Sequence, residues 1–153
     1  MLVKMTQAEL DEYLGSAIQS LADEFMRANG WPPEQSLAAS RQSFDTLLPG
    51  RVIDSPNQLL WTITADEKKV GTLWCGIRGQ HEAFVWDLLI YPEWRNKGYG
   101  SEAMAAMEQE LGKMNVYRIT LNVFAHNSIA SHLYSGLGYA PVSTRMSKQL
   151  TPG

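Results

Sequence analysis

The chain has 153 residues, 44% of them apolar and 19% charged, which suits one compact globular domain rather than two domains or a disordered segment. Its net charge of −3 gives no general pull toward nucleic acid or anionic membranes, and its lone cysteine, Cys75, allows neither an intrachain disulfide nor a cysteine zinc site. No apolar run approaches the roughly 20 residues of a membrane helix, and Met1 to Gln7 lack a signal-peptide core, so a reduced, cytoplasmic protein is expected, with no membrane or nucleic-acid partner.

The first third reads as helical. Thr6-Gln7-Ala8-Glu9 is a capping box, in which a hydroxyl and a carboxylate satisfy the free donors of a helix start. Leu10, Leu14, Ala17, Leu21 and Phe25 follow at helical spacing, and Asn29-Gly30 is a stop signal. Pro32-Pro33 opens a second helix, which carries Leu37, Phe44, Leu47 and Leu48 inward and ends at Pro49-Gly50.

The middle third changes period. Leu59 to Thr64, Val70 to Arg78 and Ala83 to Tyr91 read as three strands joined by short polar turns, an antiparallel meander whose third member is the most apolar. The last third alternates: a helix over Ser101 to Lys113, a strand over Arg118 to Phe124, a helix over Ser128 to Leu137 and a final strand over Ala140 to Lys148. Helical crossovers require at least one parallel pairing, so the expected fold is α/β, a mixed sheet flanked by helices in the order α-α-β-β-β-α-β-α-β. One unit spanning 1–153 is expected, with N-terminal helices over 1–50 and the sheet-bearing core over 51–148.

The informative segment is Tyr91-Pro-Glu-Trp-Arg-Asn-Lys-Gly-Tyr-Gly-Ser101, between the densest strand and an amphipathic helix. Gly98 and Gly100 let backbone approach a ligand, the helix start directs free N–H groups there, and Arg95 and Lys97 add positive charge. The combination makes an anion cradle suited to a phosphate or pyrophosphate. A nucleotide P-loop is excluded because no Lys-Ser/Thr follows the glycines. A dinucleotide fingerprint fits poorly, since the loop is long and no acidic residue stands at Thr120, Leu121 or Asn122. The pyrophosphate of coenzyme A remains, beside the plain alternative of a glycine turn with two solvated cations.

A second group lies downstream. Asn127 and Tyr134 are about two helical turns apart, on one face, with the small Ala130 between them. The amide can pair with an amide-bearing arm and the phenol can donate a proton. Each also has a structural reading, Asn127 as a helix cap and Tyr134 as a core aromatic.

Asp87 to Gly100 (Asp-Leu-Leu-Ile-Tyr-Pro-Glu-Trp-Arg-Asn-Lys-Gly-Tyr-Gly), Asn127 to Tyr134, and Leu137-Gly138-Tyr139, in that order and spacing, resemble the GNAT superfamily of acetyl-CoA-dependent acetyltransferases. The likeness runs from about Leu59 to Lys148, and the whole chain looks most like a bacterial group within it whose substrates are poorly defined. The resemblance implies a pyrophosphate held by main-chain N–H groups of Arg95, Asn96, Lys97, Gly98, Tyr99, Gly100 and Ser101. It also implies a splayed strand whose Leu88, Leu89 and Ile90 main-chain groups pair with pantetheine, with the Leu88 N–H toward the thioester oxygen. Asn127 would hold the pantetheine arm and Tyr134 would sit by the sulfur.

The implied reaction is direct transfer of an acetyl group to a primary amine in a ternary complex, with no metal. Only about one alkylamine in a thousand is neutral near pH 7, so a base is needed. Asp87 interrupts an apolar strand, and side-chain alternation places it on one face with Val85, Leu89 and Tyr91. It is the expected base, with pairing to a buried donor as its structural reading and with Glu24 and Glu82 as weaker alternatives. His81, His126 and His132 lack metal-ligand spacing, Cys75 reads as a buried apolar residue, and Trp31 could line an acceptor cleft. The acceptor, a small-molecule or peptide amine, stays open, and a homodimer is allowed. The rival readings are a regulatory module that binds an acyl-CoA without transfer, and a nicotinamide oxidoreductase.

Overall fold

The computed structural model describes residues 1–151. Its elements are β1 (Leu2–Lys4), α1 (Gln7–Asn29), α2 (Pro33–Leu47), β2 (Gln58–Ala65), β3 (Lys68–Arg78), β4 (Glu82–Ile90), α3 (Tyr99–Lys113), β5 (Arg118–Leu121) and α4 (Ser128–Gly136). The strands form one five-stranded sheet in sequence order, antiparallel from β1 to β4 and parallel between β4 and β5.

The capping box forms as expected. The Thr6 hydroxyl accepts the Glu9 N–H at 3.1 Å and the Glu9 carboxylate accepts the Thr6 N–H at 3.0 Å. Gly30, with φ +68°, closes α1 in the left-handed conformation that a side chain disfavours. α2 follows Pro32, and its buried face is Ser36, Ser40 and Phe44 rather than Leu37. Two small serines bring the helices close, and the Ser40 hydroxyl donates to the Ile18 carbonyl at 2.6 Å.

The sheet is covered on both sides. On one, α3 buries Ala103, Met104, Met107 and Leu111 against Ile63, Val70, Leu73, Cys75, Ala83 and Val85. On the other, α1 and α2 pack Leu10, Tyr13, Leu14, Ala17 and Phe44 against Leu60 and Trp74. Burying such side chains contributes about 1.5–3 kcal/mol each, so the two layers fix where α1 and α3 stand relative to β4.

The structure corrects two expectations about the sheet. A short edge strand, β1, pairs Leu2 to Lys4 with Trp61 to Ile63, in a segment too short to show a period. The final strand over Ala140 to Lys148 does not form, and the α-α-β-β-β-α-β-α-β order gains a strand at its start and loses one at its end. The chain leaves α4 through Gly138, anchors Tyr139 to Glu108 at 2.9 Å, and runs exposed to Arg145, which donates to the Asn29 side chain at 2.7 Å. Alternating side chains make a segment compatible with a strand, but a strand also needs a neighbouring edge, and this one is led away from the sheet. Among the described residues no helix is long and apolar enough to cross a membrane.

Candidate active site

The glycine loop leaves β4 through a short turn at Pro92–Trp94 and enters α3 at Tyr99. Asn96 (φ +62°) and Gly98 (φ +84°) both adopt left-handed backbone, which bends the chain sharply into the helix. No side chain caps α3; the Glu102 N–H is taken by the Gly98 carbonyl at 3.1 Å, and the donors of Tyr99, Gly100 and Ser101 precede it in the first turn. The Arg95 side chain folds back and donates to the Ile90 carbonyl at 2.9 Å, tying the loop to the strand end. Arg95, Asn96, Lys97 and Gly98 are exposed. An uncapped helix start with exposed cations beside it is chemically an anion site.

β4 is paired on both sides only in its first half. Glu82 to Val85 match Arg118 to Leu121 of β5, and beyond Val85 the strand continues to Ile90 beside β3 alone. The main chain of Leu88, Leu89 and Ile90 therefore faces an opening where β5 has ended. A bulge marks the transition: Cys75 stands opposite Val85 and Trp74 opposite Asp87, which leaves Trp86 as the extra residue. The bulge reverses side-chain alternation. Val85 joins the α3 side of the sheet with Cys75, while Asp87 turns to the α1 side with Trp74. The expectation that Asp87 shares a face with Val85 is thus overturned by one inserted residue.

On that side Asp87 meets Tyr13, whose hydroxyl donates to its carboxylate at 2.5 Å. Burial pushes the Asp87 carboxyl above its ordinary value of 3.8, with the Tyr13 hydroxyl and the Leu88 N–H pulling it back. Burial, then the carboxylate, push the Tyr13 hydroxyl well above 10.0, so it stays protonated.

α4 begins at Asn127, whose side-chain oxygen accepts the Ala130 N–H at 3.0 Å. The cap occupies that oxygen and leaves the amide NH₂ exposed with the residue. Tyr134 packs on the α3-side core with its ring edge-on to Tyr139 at 6.0 Å. Burial, and after it the charge of Asp87, push its hydroxyl up to about 12. Leu133, the residue before it, comes within 3.5 Å of where a Gly100 Cβ would stand, and Ile90 and Leu88 within 3.8 and 3.9 Å. The glycine loop, the open half of β4 and α4 therefore converge on one place.

α1 spans this opening. Tyr13 holds Asp87 on β4, and about 16 Å further along the helix Glu24 pairs with His126 in the segment between β5 and α4. Phe25 packs tilted against Trp31 at 5.7 Å and edge-on to Phe124 of the same segment at 6.5 Å. The alternative base Glu82 sits at the far end of β4, paired with Arg78 at 3.2 Å. Cys75 is fully buried, and burial pushes its thiol up to about 12, so it is inert. Among the described residues no group of three or more His, Cys, Asp and Glu could hold a metal ion. Open surface hollows lie along β1, lined by Val3, Thr64, Tyr99 and Glu102 or by Glu9, Glu12 and Lys69; neither includes Asp87 or Tyr134.

Tyr13 is the residue that sequence reasoning passes over. It lies on the apolar stripe of α1, three positions after Leu10, where an aromatic reads as core. The available signal is that a buried phenol needs a hydrogen-bond partner.

Residues 18–139 match the family model described as "Acetyltransferase (GNAT) family". The chain is 37% identical to the uncharacterized N-acetyltransferase YycN of Bacillus subtilis (strain 168) across 98% of both chains, and 32% identical to YdgE of the same organism, also named an N-acetyltransferase, across 97% of both. The crystal structure of YycN superposes with a TM-score of 0.93 over 99% of each chain. The PaiA N-acetyltransferase of Thermoplasma acidophilum, solved in complex with coenzyme A, is 18% identical and shares the fold, with a TM-score of 0.69 over 95% of this chain and 92% of that one.

Proposed function

The chain belongs to the GNAT family of acetyltransferases, and from that premise we propose that it moves the acetyl group of acetyl-CoA directly to a primary amine, small-molecule or peptide, in a ternary complex. One observation carries this reading. The open half of β4 runs into an uncapped α3 through Gly98, with Asp87 and Tyr134 beside that opening.

In this reading the main-chain donors from Arg95 to Ser101 hold the pyrophosphate. The main chain of Leu88, Leu89 and Ile90, with the Asn127 amide, holds pantetheine. Main-chain N–H groups of the open strand, among them that of Leu88, stabilise the oxyanion. Asp87 takes the proton that the acceptor ammonium must lose, the neutral nitrogen attacks the thioester carbon, and the C–S bond breaks. Tyr134 gives its proton to the departing sulfur and recovers one from the acetylated nitrogen, which leaves as the neutral amide. The sum is an amide, a CoA thiol and one proton released. Tyr134, held to about 12, is protonated throughout the working range.

The test is thiol release from acetyl-CoA across a panel of primary amines. Release that depends on the amine, with acetylated amine found by mass, supports transfer. Tight CoA binding with no release over a broad panel favours the non-catalytic acyl-CoA-binding module. The cytoplasm is the proposed location.

A further inference from the structure

We propose that Tyr13 is a positioning residue: its hydroxyl holds the Asp87 carboxylate in one orientation on the open half of β4 and favours its charged form. This rests on the reading of Asp87 as the base.

The geometry comes from two elements that are independent in sequence. On α1, Tyr13 is only 6% exposed and is flanked by Leu10, Leu14 and Ala17, all in one core cluster. The helix is held at its start by the Thr6–Glu9 box and at its end by Gly30. The phenol therefore has little freedom to move. On β4, the bulge at Trp86 turns Asp87 toward α1, and without it the carboxylate would face the α3 side with Val85. The two meet in a hydrogen bond of 2.5 Å, 74 residues apart in sequence. A hydrogen bond from a neutral hydroxyl to a carboxylate favours the charged form and restricts its rotation.

The groups that face Asp87 are few. The Tyr13 hydroxyl from α1 and the Leu88 N–H from its own strand are hydrogen-bonded to it; Tyr134 on α4 is near enough to feel its charge, and Trp74, opposite on β3, does not ionise. Both ionisable neighbours are phenols pushed to high pH by burial, so both stay neutral while Asp87 titrates. No cation among them offsets the burial of Asp87. The phenol donor of Tyr13 is thus the side-chain hydrogen bond that favours the charged carboxylate. Phenylalanine fills the same volume and removes only the donor.

The decisive measurement is the pH titration of the Asp87 carboxyl carbon by ¹³C NMR in the full chain, with Asp87→Asn to assign the signal. In Tyr13→Phe the midpoint moves up by about half a unit to one unit. With an amine from the transfer panel, the acid limb of kcat/KM moves by the same amount, and turnover at neutral pH falls about tenfold, short of the loss from removing a base outright. An unchanged carboxyl midpoint in folded Tyr13→Phe overturns the inference. If Tyr13→Phe does not fold, the wild-type chain answers instead: the Tyr13 ring carbon bearing oxygen must shift with the Asp87 midpoint, and its independence overturns the inference too. The underlying reading fails differently. If Asp87→Asn leaves the acid limb in place, Asp87 is not the base, whatever the carboxyl midpoint does.

Discussion

Val85 and Asp87 stand two positions apart on β4 and face opposite sides of the sheet. The inserted Trp86 lies where β4 loses β5 as a partner, so a single irregularity aims the carboxylate at α1 at the same point where main-chain groups are released on the other edge. The candidate base and the candidate cofactor strand thus share one structural origin.

That placement makes Asp87 costly to the fold. Its carboxyl is raised above 3.8 by burial, so the folded state favours the proton more than the unfolded state does. The resulting stability is complete below the unfolded value and is lost as pH rises through the raised folded value. Asp87→Asn should therefore melt at a higher temperature than the wild type at pH 7, and the gap should close as pH falls toward 3.8. Thermal melts across pH check this; a gap that widens in acid contradicts it.

Tyr134→Phe keeps the ring that packs on the core and against Tyr139 while removing the hydroxyl. Turnover should fall by about 100-fold or more with CoA affinity nearly unchanged, the pattern of a group that acts in the transition state. Steady-state kinetics beside direct binding separates the two. Unchanged turnover removes Tyr134 from the chemistry.

The two glycines of the loop should respond differently. At Gly98, φ is +84°, and any side chain there is strained by about 1–2 kcal/mol although no atom lies within 4 Å of the added carbon. At Gly100 the backbone is helical and the nearest atom, on Leu133, is 3.5 Å away, an ordinary contact. Gly98→Ala should lower the melting temperature by about 2–8 °C and weaken CoA binding about tenfold by resetting the loop. Gly100→Ala should leave the melting temperature nearly alone. The reverse order of stability would place the strain elsewhere.

Acid tolerance should depend on Glu9. Lys69 first, and then the Thr6 and Thr62 donors, hold its carboxyl at about 2 against a desolvation that opposes them. A depressed folded value gives stability that is present above 4.5 and is lost as pH falls toward about 2. Lys69 is largely exposed, so much of the effect belongs to the helix cap rather than the ion pair. Glu9→Gln should cost about 1 kcal/mol at neutral pH, with the difference shrinking over that acid window in thermal melts.

What the sequence shows and what it hides divide along physical lines. The Thr6–Glu9 box and the Gly30 stop are local, and the helix they bound, Gln7–Asn29, is legible from neighbouring residues. The Gly98 loop is legible because few other residues tolerate its backbone. The bulge at Trp86 depends on which residue of β3 faces which residue of β4, and strict alternation cannot reveal it. The strand expected over Ala140 to Lys148 fails for a related reason: its pattern is correct, but pairing is a property of two segments. Tyr13 and Asp87 are each a polar group in an apolar run, one a donor and the other an acceptor; their mutual need was the readable sign of their contact.

The central claim is that main-chain donors at the start of α3, led in by Gly98, hold the pyrophosphate of a thioester carrier. Titration of acetyl-CoA into the folded chain by isothermal calorimetry tests it most directly. A saturable, one-to-one heat that weakens in Gly98→Ala is the result expected, and no heat from protein that melts cooperatively would contradict the account.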